Sequence, residues 1–281
     1  MPELPEVETI KLKLQRYLSG HKIVDIQINW IKIFPKDTEE IIGSTINAIK
    51  RFGKVLVIDF ENGYSLVIHI KMTGQLIYRG PNLDTESDLS KKVHGGVPGK
   101  HTHVIFYLDR SGILYYNDMR KFGWMKVVKS DELNSIALLK SLGPEPLKDL
   151  NIYNFKEILK NNKKTIKETI MDQAKIAGIG NIYANDALFL AKIHPKRLAN
   201  SLKSNECKLL FKSIEDVLRR GIEAGGASEN SYVAPDGTEG SYQDIALVYG
   251  KKGEKCKNCG SIIEKITLGG RGTFYCPICQ K

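Results

Sequence analysis

The first six residues of the chain combine the residue types with the most unusual chemistry. They read MPELPE, and removal of Met1, which a small second residue permits, would leave Pro2 as a free secondary amine beside the carboxylate of Glu3. An α-amino group has a pKa about 2.5 units below that of a lysine side chain, so far more of it is neutral and nucleophilic near pH 7. Addition of this amine to a sugar carbon would give an electron-withdrawing iminium ion. The alternative is that the two prolines only begin a helix, since proline suits a first turn.

A second group of chemically active residues lies near the end of the chain. Four of the five cysteines form two Cys-x2-Cys pairs separated by 16 residues. Two such pairs supply four thiolates that can close a tetrahedral zinc site, whereas disulfides are rare in cytosolic proteins. A site with four protein ligands has no open coordination position, so we predict one structural Zn²⁺ that takes no part in chemistry. The predicted ligands are Cys256, Cys259, Cys276 and Cys279.

The charge of the chain suits a polyanionic partner. Its 281 residues carry a formal net charge of +10, with a pI near 9.2. Residues 251–281 contain seven Lys or Arg and two Glu, so half of the excess lies around the cysteines. Basic surfaces are common, and charge alone does not identify the partner. No apolar run approaches the ~18 residues of a membrane span and no signal peptide is visible, so we expect a soluble cytosolic protein without a membrane partner.

The elements that position these residues fall into two parts, in keeping with the roughly two domains expected for a chain of this length. Val7, Ile10, Leu14 and Leu18 recur at helical spacing directly after the N-terminal residues. Residues 22–125 are β-rich: segments 55–60 and 64–70 flank a Glu-Asn-Gly hairpin signature, and 104–108 and 113–117 flank a second turn. This pattern predicts a two-layer antiparallel sandwich with the N-terminal helix packed against it.

The second part begins after a Leu-Gly-Pro-Glu-Pro segment at 142–146, and its periodicity is helical from 151 to 225. Within it, 178–184 form a glycine-containing turn whose backbone amides can hold a phosphate, with Asn181 as a cap or contact. Residues 225–243, which we call the capping loop, have the polar composition of a substrate lid or of an ordinary surface loop. Strands are predicted at 245–249, 262–267 and 273–275, and the glycine-flanked Arg271 between the last two can approach a phosphate.

Six motifs occur in one order along the chain. They are PELPEVE at 2–8, RxGK at 51–54, MTG at 72–74, DxRxFG at 118–123, GxGN at 178–181, and the four-cysteine segment with GRG at 270–272. This ordered set, which spans essentially the whole chain, resembles the formamidopyrimidine-DNA glycosylases, also called MutM or Fpg.

The resemblance implies an α+β multidomain fold. It combines an N-terminal antiparallel β-sandwich with flanking helices, a C-terminal helical helix-two-turn-helix domain, and a four-cysteine zinc finger. The implied boundaries are a catalytic domain at 1–130, a linker at 131–150, the helix-two-turn-helix domain at 151–225, a lesion-capping loop and strand at 226–250, and the finger at 251–281.

The implied activity is that of a bifunctional DNA glycosylase and abasic-site lyase acting on damaged double-stranded DNA. Such an enzyme removes 8-oxoguanine and formamidopyrimidines and then cleaves the strand by β- and δ-elimination. The resemblance gives Pro2 the role of nucleophile, Glu3 that of general acid and base, and Lys54 a place in the catalytic group as a phosphate ligand. Glu6 becomes a supporting carboxylate that positions this end of the chain.

The resemblance also implies how DNA is held. Met72, Arg120 and Phe122, which we call the wedge residues, would enter the duplex, although Phe122 considered alone would more often be a core residue. The capping loop would read the flipped base through its backbone at Ala227 and Ser228, so the side chains of these two residues should matter little. Further phosphate ligands would be Asn181, Tyr249 and Arg271.

Four positions depart from the family pattern. Lys71 replaces a common Gly, Asp186 a usual Glu, Tyr242 a usual Phe, and Lys251 a common Arg. Three alternatives stay open: an endonuclease VIII-like glycosylase for oxidised pyrimidines, a non-catalytic zinc-ribbon DNA-binding protein, and an RNA-binding or ribosome-associated basic module. On the main interpretation we expect a monomer in the bacterial cytosol or nucleoid.

Overall fold

The computed structural model describes residues 1–35, 37–81, 83, 89–229 and 231–281. The chain divides into two compact units. The first contains Met1–Lys140 and Ala224–Ser241, and the second contains Ser141–Glu223 and Tyr242–Lys281. No helix among the described residues combines the length and apolar character needed to cross a membrane.

The first unit begins with helix α1, Leu4–Leu18. Its start is fixed by a capping box in which the Glu3 side chain accepts from the backbone of Glu6 while the Glu6 side chain accepts from that of Glu3. The residues predicted to form its apolar face, Val7, Ile10, Leu14 and Leu18, are all buried in the main core, which confirms the predicted helix.

Two four-stranded antiparallel sheets follow, and the core of this unit is drawn from both of them and from α1. Gly63, with φ +84°, takes the left-handed conformation that the turn of the predicted 55–70 hairpin requires. The predicted sandwich is therefore confirmed. One sheet has the order β2 (Ile46–Phe52), β3 (Val55–Phe60), β4 (Tyr64–His69) and β8 (Trp124–Lys129), and the other β1 (Ile23–Ile28), β6 (Thr102–Leu108), β7 (Ile113–Asp118) and β5 (Gly74–Arg79).

Residues 130–140, all but the first of which lie in the linker predicted at 131–150, form a 3-10 helix at Ser130–Ser135 and helix α2 at Ala137–Lys140. The second unit is helical up to Glu223 and then contains a two-stranded antiparallel hairpin. Its helices are α3 (Ile152–Lys160), α4 (Ile166–Met171), α5 (Asn181–Leu190), the 3-10 turn Ala199–Ser201, α6 (Ser204–Glu223) and α7 (Tyr242–Ile245), and its strands are β9 (Glu264–Leu268) and β10 (Arg271–Tyr275).

The segment predicted as a capping loop plus strand at 226–250 is organised differently. Residues up to Ser241 belong to the first unit, where the Tyr78 amide donates to the Pro235 carbonyl (2.7 Å). The strand predicted at 245–249 is wrong, because the backbone amides of Leu247, Val248 and Tyr249 all donate to the single carboxylate of Asp186. A strand alternates the direction of successive amides, so it cannot direct three in a row to one side chain.

Candidate functional site

Glu6 connects the N-terminal residues to the capping loop. One carboxylate oxygen accepts from the Glu3 amide (2.7 Å), and the other accepts from the Ala227 amide (2.8 Å). Pro2, Glu3 and Glu6 are all buried, with Glu6 only 1% exposed. The predicted nucleophile and the predicted acid-base residue are therefore both buried, and the Glu3 backbone is held by a second carboxylate, that of Glu6.

The capping loop approaches Glu6 closely at Gly226. This residue has φ +86°, and an added Cβ would lie 2.8 Å from the Glu6 Cγ, so no side chain fits here. The Tyr232 hydroxyl donates to the Gly225 carbonyl (3.0 Å). Burial, together with the nearby Glu6 charge, raises the pKa of Tyr232 well above its usual value, so its hydroxyl keeps its proton.

Ser228 differs from the expectation that its side chain matters little. Its buried hydroxyl donates to the Tyr232 carbonyl (2.9 Å) and accepts from the Gly240 amide (2.9 Å). These two hydrogen bonds join the beginning of the capping loop to its middle and to its end. The Lys92 ammonium also donates to the Ser228 carbonyl and pairs with Glu239 (2.6 Å). The backbone at 227–228 is consequently shaped by side chains, and the Ser228 hydroxyl is one of them.

The wedge residues come together on the first unit. The Arg120 guanidinium donates to the Met72 sulfur (3.0 Å), and its carbon lies 4.6 Å from the centre of the Phe122 ring. Met72 is 37% exposed and Phe122 is 54% exposed, so the alternative that Phe122 belongs to the core is wrong. The Ser231 hydroxyl donates to the Met72 carbonyl (3.1 Å), which links the wedge to the capping loop.

Lys54 is buried in the turn between β2 and β3. Its charge acts on His69, a residue that the sequence patterns did not indicate. Burial, assisted by the charges of Lys71 and Lys54, lowers the pKa of His69 to about 4. His69 is therefore neutral at pH 7, and because its Nδ1 accepts from the Lys71 amide (3.0 Å), its proton lies on Nε2. The available signal was its position at the end of β4, three residues before Met72.

The departure at Lys71 has a visible cost. Lys71 adopts φ +49°, the left-handed region that glycine enters without strain. A side chain in this conformation typically costs about 1 kcal/mol.

In the second unit, the start of α5 is tied to the tip of the β9–β10 hairpin. The Asn181 side-chain amide donates to the Gly272 carbonyl (3.0 Å), and the Lys167 ammonium donates to the Thr273 hydroxyl (2.7 Å). Arg271 is exposed beside this contact. Two of the predicted phosphate ligands, Asn181 and Arg271, are thus brought together.

Tyr249 is placed by the buried Asp186. Besides the three amides already described, the Asp186 carboxylate accepts from the Tyr242 hydroxyl (3.0 Å). Burial raises the pKa of Asp186, and the four hydrogen bonds oppose that rise. Two departures from the family pattern therefore contact each other, whereas nothing in the structure explains the one at Lys251. The Tyr249 ring packs edge-on against Phe274, with ring centres 5.2 Å apart.

The four predicted metal ligands are clustered. All four sulfur atoms lie within 4.8 Å of one another, with Cys256 and Cys279 3.8 Å apart and Cys259 and Cys276 3.5 Å apart. A tetrahedron with Zn–S bonds of about 2.3 Å has edges of about 3.8 Å. The cluster therefore fits a zinc ion, and the described residues contain no other group of three or more potential ligands.

Comparison with known proteins agrees with this geometry along the whole chain. Family models match in three regions: formamidopyrimidine-DNA glycosylase N-terminal domain at residues 1–125, formamidopyrimidine-DNA glycosylase H2TH domain at 142–232, and zinc finger found in FPG and IleRS at 253–281. The formamidopyrimidine-DNA glycosylases of Lactiplantibacillus plantarum and Pelotomaculum thermopropionicum are 41% and 39% identical to this chain; the alignments cover all of it and 100% and 99% of those proteins.

Solved structures give the same result. A complex between Lactococcus lactis Fpg and abasic-site DNA aligns with a TM-score of 0.87 at 37% identity, over 99% of both chains. A complex of the wild-type Lactococcus lactis protein with DNA containing N7-benzyl-Fapy-dG aligns with a TM-score of 0.86 at 36% identity, over 100% of both chains.

The sandwich with its N-terminal Pro-Glu pair, the helical domain and the four-cysteine finger define a DNA glycosylase of base-damage repair. The chain belongs to the formamidopyrimidine-DNA glycosylase family. It is therefore an enzyme, which sets aside the zinc-ribbon and ribosome-associated alternatives.

Proposed function

We propose that this enzyme excises oxidised purines, 8-oxoguanine and formamidopyrimidines, from duplex DNA and then cleaves the strand, with Pro2 as the nucleophile. The observation that carries the proposal is the buried Pro2–Glu3 pair, whose backbone is held by Glu6 next to the capping loop. A Fapy-dG derivative and an abasic site are what the Lactococcus lactis complexes contain, which supports this choice of substrate.

The proposed chemistry starts with a nucleotide turned out of the duplex, since the sugar carbon is otherwise inaccessible. The Pro2 nitrogen forms a bond to C1′ as the C1′–base bond breaks, and the base leaves with a proton. Glu3, as general acid and base, then gives a proton to O4′ as the C1′–O4′ bond breaks, which opens the sugar ring and leaves C1′ double-bonded to the Pro2 nitrogen. The resulting iminium acidifies C2′, so loss of a C2′ proton expels the 3′ phosphate, and a second elimination expels the 5′ phosphate. Water then releases Pro2.

The remaining site residues would hold the DNA. In the first unit, Lys54 serves as a phosphate ligand, and the wedge residues fill the space left by the flipped nucleotide. In the second unit, Asn181, Tyr249 and Arg271 serve as phosphate ligands, and bonds of this kind fix register without reading sequence. The four cysteines would hold one Zn²⁺ that shapes the hairpin carrying Arg271.

Borohydride trapping tests this function directly. With a duplex containing 8-oxoguanine, the protein lacking Met1 is expected to form a reducible covalent adduct that maps to the N-terminal peptide. Protein that retains Met1 is the matched control, because its Pro2 nitrogen is an amide and cannot attack. An adduct on an internal lysine, or full activity in the control, would contradict the proposed nucleophile. A stronger reaction with an oxidised pyrimidine would favour the endonuclease VIII-like alternative.

Arg120 is expected to make excision depend on the base opposite the lesion. Guanidinium groups only donate, so the widowed cytosine offers Arg120 two acceptors, O2 and N3, whereas adenine places an amino donor beside its N1 acceptor. An unsatisfied buried donor costs about 1–3 kcal/mol, which corresponds to about 5- to 150-fold in rate. We therefore expect single-turnover excision of 8-oxoguanine to be faster opposite C than opposite A by that factor.

The Arg120→Ala variant should lose this preference, whereas Arg110→Ala, which removes an exposed arginine from the β6–β7 turn, should keep it. Equal rates opposite A and C in the unmodified protein would show that Arg120 does not read the widowed base.

A further inference from the structure

The two loops that carry the wedge residues meet at one buried carboxylate. Met72 lies on the loop between β4 and β5, and Arg120 and Phe122 lie on the loop between β7 and β8. Asp118, the last residue of β7, is 0% exposed and lies beneath both loops. Neither the chemistry proposed above nor the phosphate contacts make use of it.

The first Asp118 oxygen joins the two loops directly. It accepts from the Thr73 hydroxyl (2.5 Å) and from the Arg120 amide (3.2 Å). Because the Thr73 hydroxyl gives its proton to Asp118, its oxygen is left to accept, and the Arg120 amide also lies 3.1 Å from it. The residue after Met72 is therefore bonded to the backbone of Arg120 itself.

The second Asp118 oxygen fixes the far end of the Arg120 loop. It accepts from the Gly123 amide (2.8 Å) and from the Tyr116 hydroxyl (3.4 Å). The carboxylate thus receives four donors, which matches the number of lone-pair positions it offers. Removing either oxygen as an acceptor would release one side of the connection.

The glycines that flank these contacts show how tightly the loops are packed. A Cβ at Gly123 would lie 1.7 Å from the Tyr116 hydroxyl oxygen, and one at Gly74 would lie 2.6 Å from the same atom. Burial and the Asp118 charge both raise the pKa of Tyr116, so its hydroxyl stays protonated as a donor. Both loops are consequently held against one side chain.

We propose that Asp118 and Thr73 are positioning residues that hold Met72, Arg120 and Phe122 as one preassembled wedge. The inference rests on the proposed function, in which these three side chains enter the duplex. A wedge already held in place does not have to be ordered at the moment the nucleotide is extruded, and such preorganisation strengthens binding by removing that cost. It also fixes the Arg120 backbone, and with it the direction from which its guanidinium meets the widowed base.

The test is Thr73→Val, which keeps the shape of the side chain and removes the hydroxyl that joins the loops, with Thr73→Ser as the matched control that retains it. For Thr73→Val we expect single-turnover excision of 8-oxoguanine from duplex DNA to fall about tenfold, together with a smaller C-over-A ratio. Cleavage at an abasic site in single-stranded DNA should stay within about twofold of the unmodified protein, because no opposite strand has to be displaced. Thr73→Ser should resemble the unmodified protein in all three measurements.

A Thr73→Val protein with an unchanged C-over-A ratio would overturn the inference, and so would equal losses on duplex and single-stranded substrates. Failure of the proposed function looks different, since the unmodified protein would then not excise 8-oxoguanine from the duplex. Asp118→Asn provides a second variant. It replaces one carboxylate oxygen, which accepts two hydrogen bonds, by an NH2 group, which can only donate. If thermal unfolding shows that the Asp118→Asn protein is folded, we expect the same loss of excision on duplex DNA with cleavage of the single-stranded abasic substrate retained. Unchanged excision on duplex DNA in this variant would contradict the proposal.

Discussion

Replacing Glu3 by Gln is expected to slow base excision by about 10²- to 10⁴-fold while leaving the affinity for damaged duplex close to that of the unmodified protein. Gln has nearly the same shape and keeps an oxygen that can accept from the Glu6 amide, so the helix start should survive. It cannot exchange a proton with the sugar, which is the role proposed for Glu3. Single-turnover excision of 8-oxoguanine and a binding titration on an uncleavable duplex separate the two effects.

Glu61→Gln is the matched control, because it makes the same chemical change at an exposed turn and should leave excision unchanged. A Glu3→Gln protein whose excision rate stays within tenfold of the unmodified rate would show that another group transfers the proton.

Replacing Cys276 by Ser, or removing the metal with a chelator, is expected to abolish binding to damaged DNA. Cys276 is fully buried and packs with Ile263 and Phe274 of the finger and with Val248, which lies just before it. So small a core cannot fold without its metal, and zinc binding supplies the folding free energy of such modules. Zinc content and a fluorescence binding titration, measured on the same preparations, would follow the two losses together.

Two variants show whether that loss has the proposed cause. Cys207→Ser changes the buried cysteine outside the cluster and should keep both zinc and DNA binding. Arg271→Ala should keep zinc but weaken binding to damaged and undamaged duplexes alike, with the salt slope reduced by about 1. Active protein with zinc content near zero would contradict a structural metal.

The parts of the fold that were predicted correctly depend on local patterns. The helical spacing of Val7 to Leu18 and the Glu-Asn-Gly turn at 61–63 report on neighbours within a few residues, and both elements formed as expected. The cysteine pairs belong to the same class, since their spacing alone predicts four ligands that can converge.

The parts that were missed depend on partners far away in the sequence. The strand at 245–249 did not form because Asp186, about sixty residues earlier, accepts the amides that a strand would have used elsewhere. The Ser228 hydroxyl has a structural role only because Gly240 comes back to it across the loop. The pKa of His69 is lowered to about 4 because the side chain is buried near two lysines, and no periodicity in the sequence indicates that environment.

The contact between Asp186 and Tyr242 joins two positions that both depart from the family pattern. The resemblance leads one to expect Glu and Phe at these positions, and this chain carries a shorter acid and an additional hydroxyl that bond to each other. A Phe at 242 would remove one of the hydrogen-bond donors to the fully buried Asp186 carboxylate. An apolar residue at 186 would leave the buried Tyr242 hydroxyl without its acceptor. The two positions are therefore energetically coupled, so the effect of a substitution at one of them depends on which residue stands at the other.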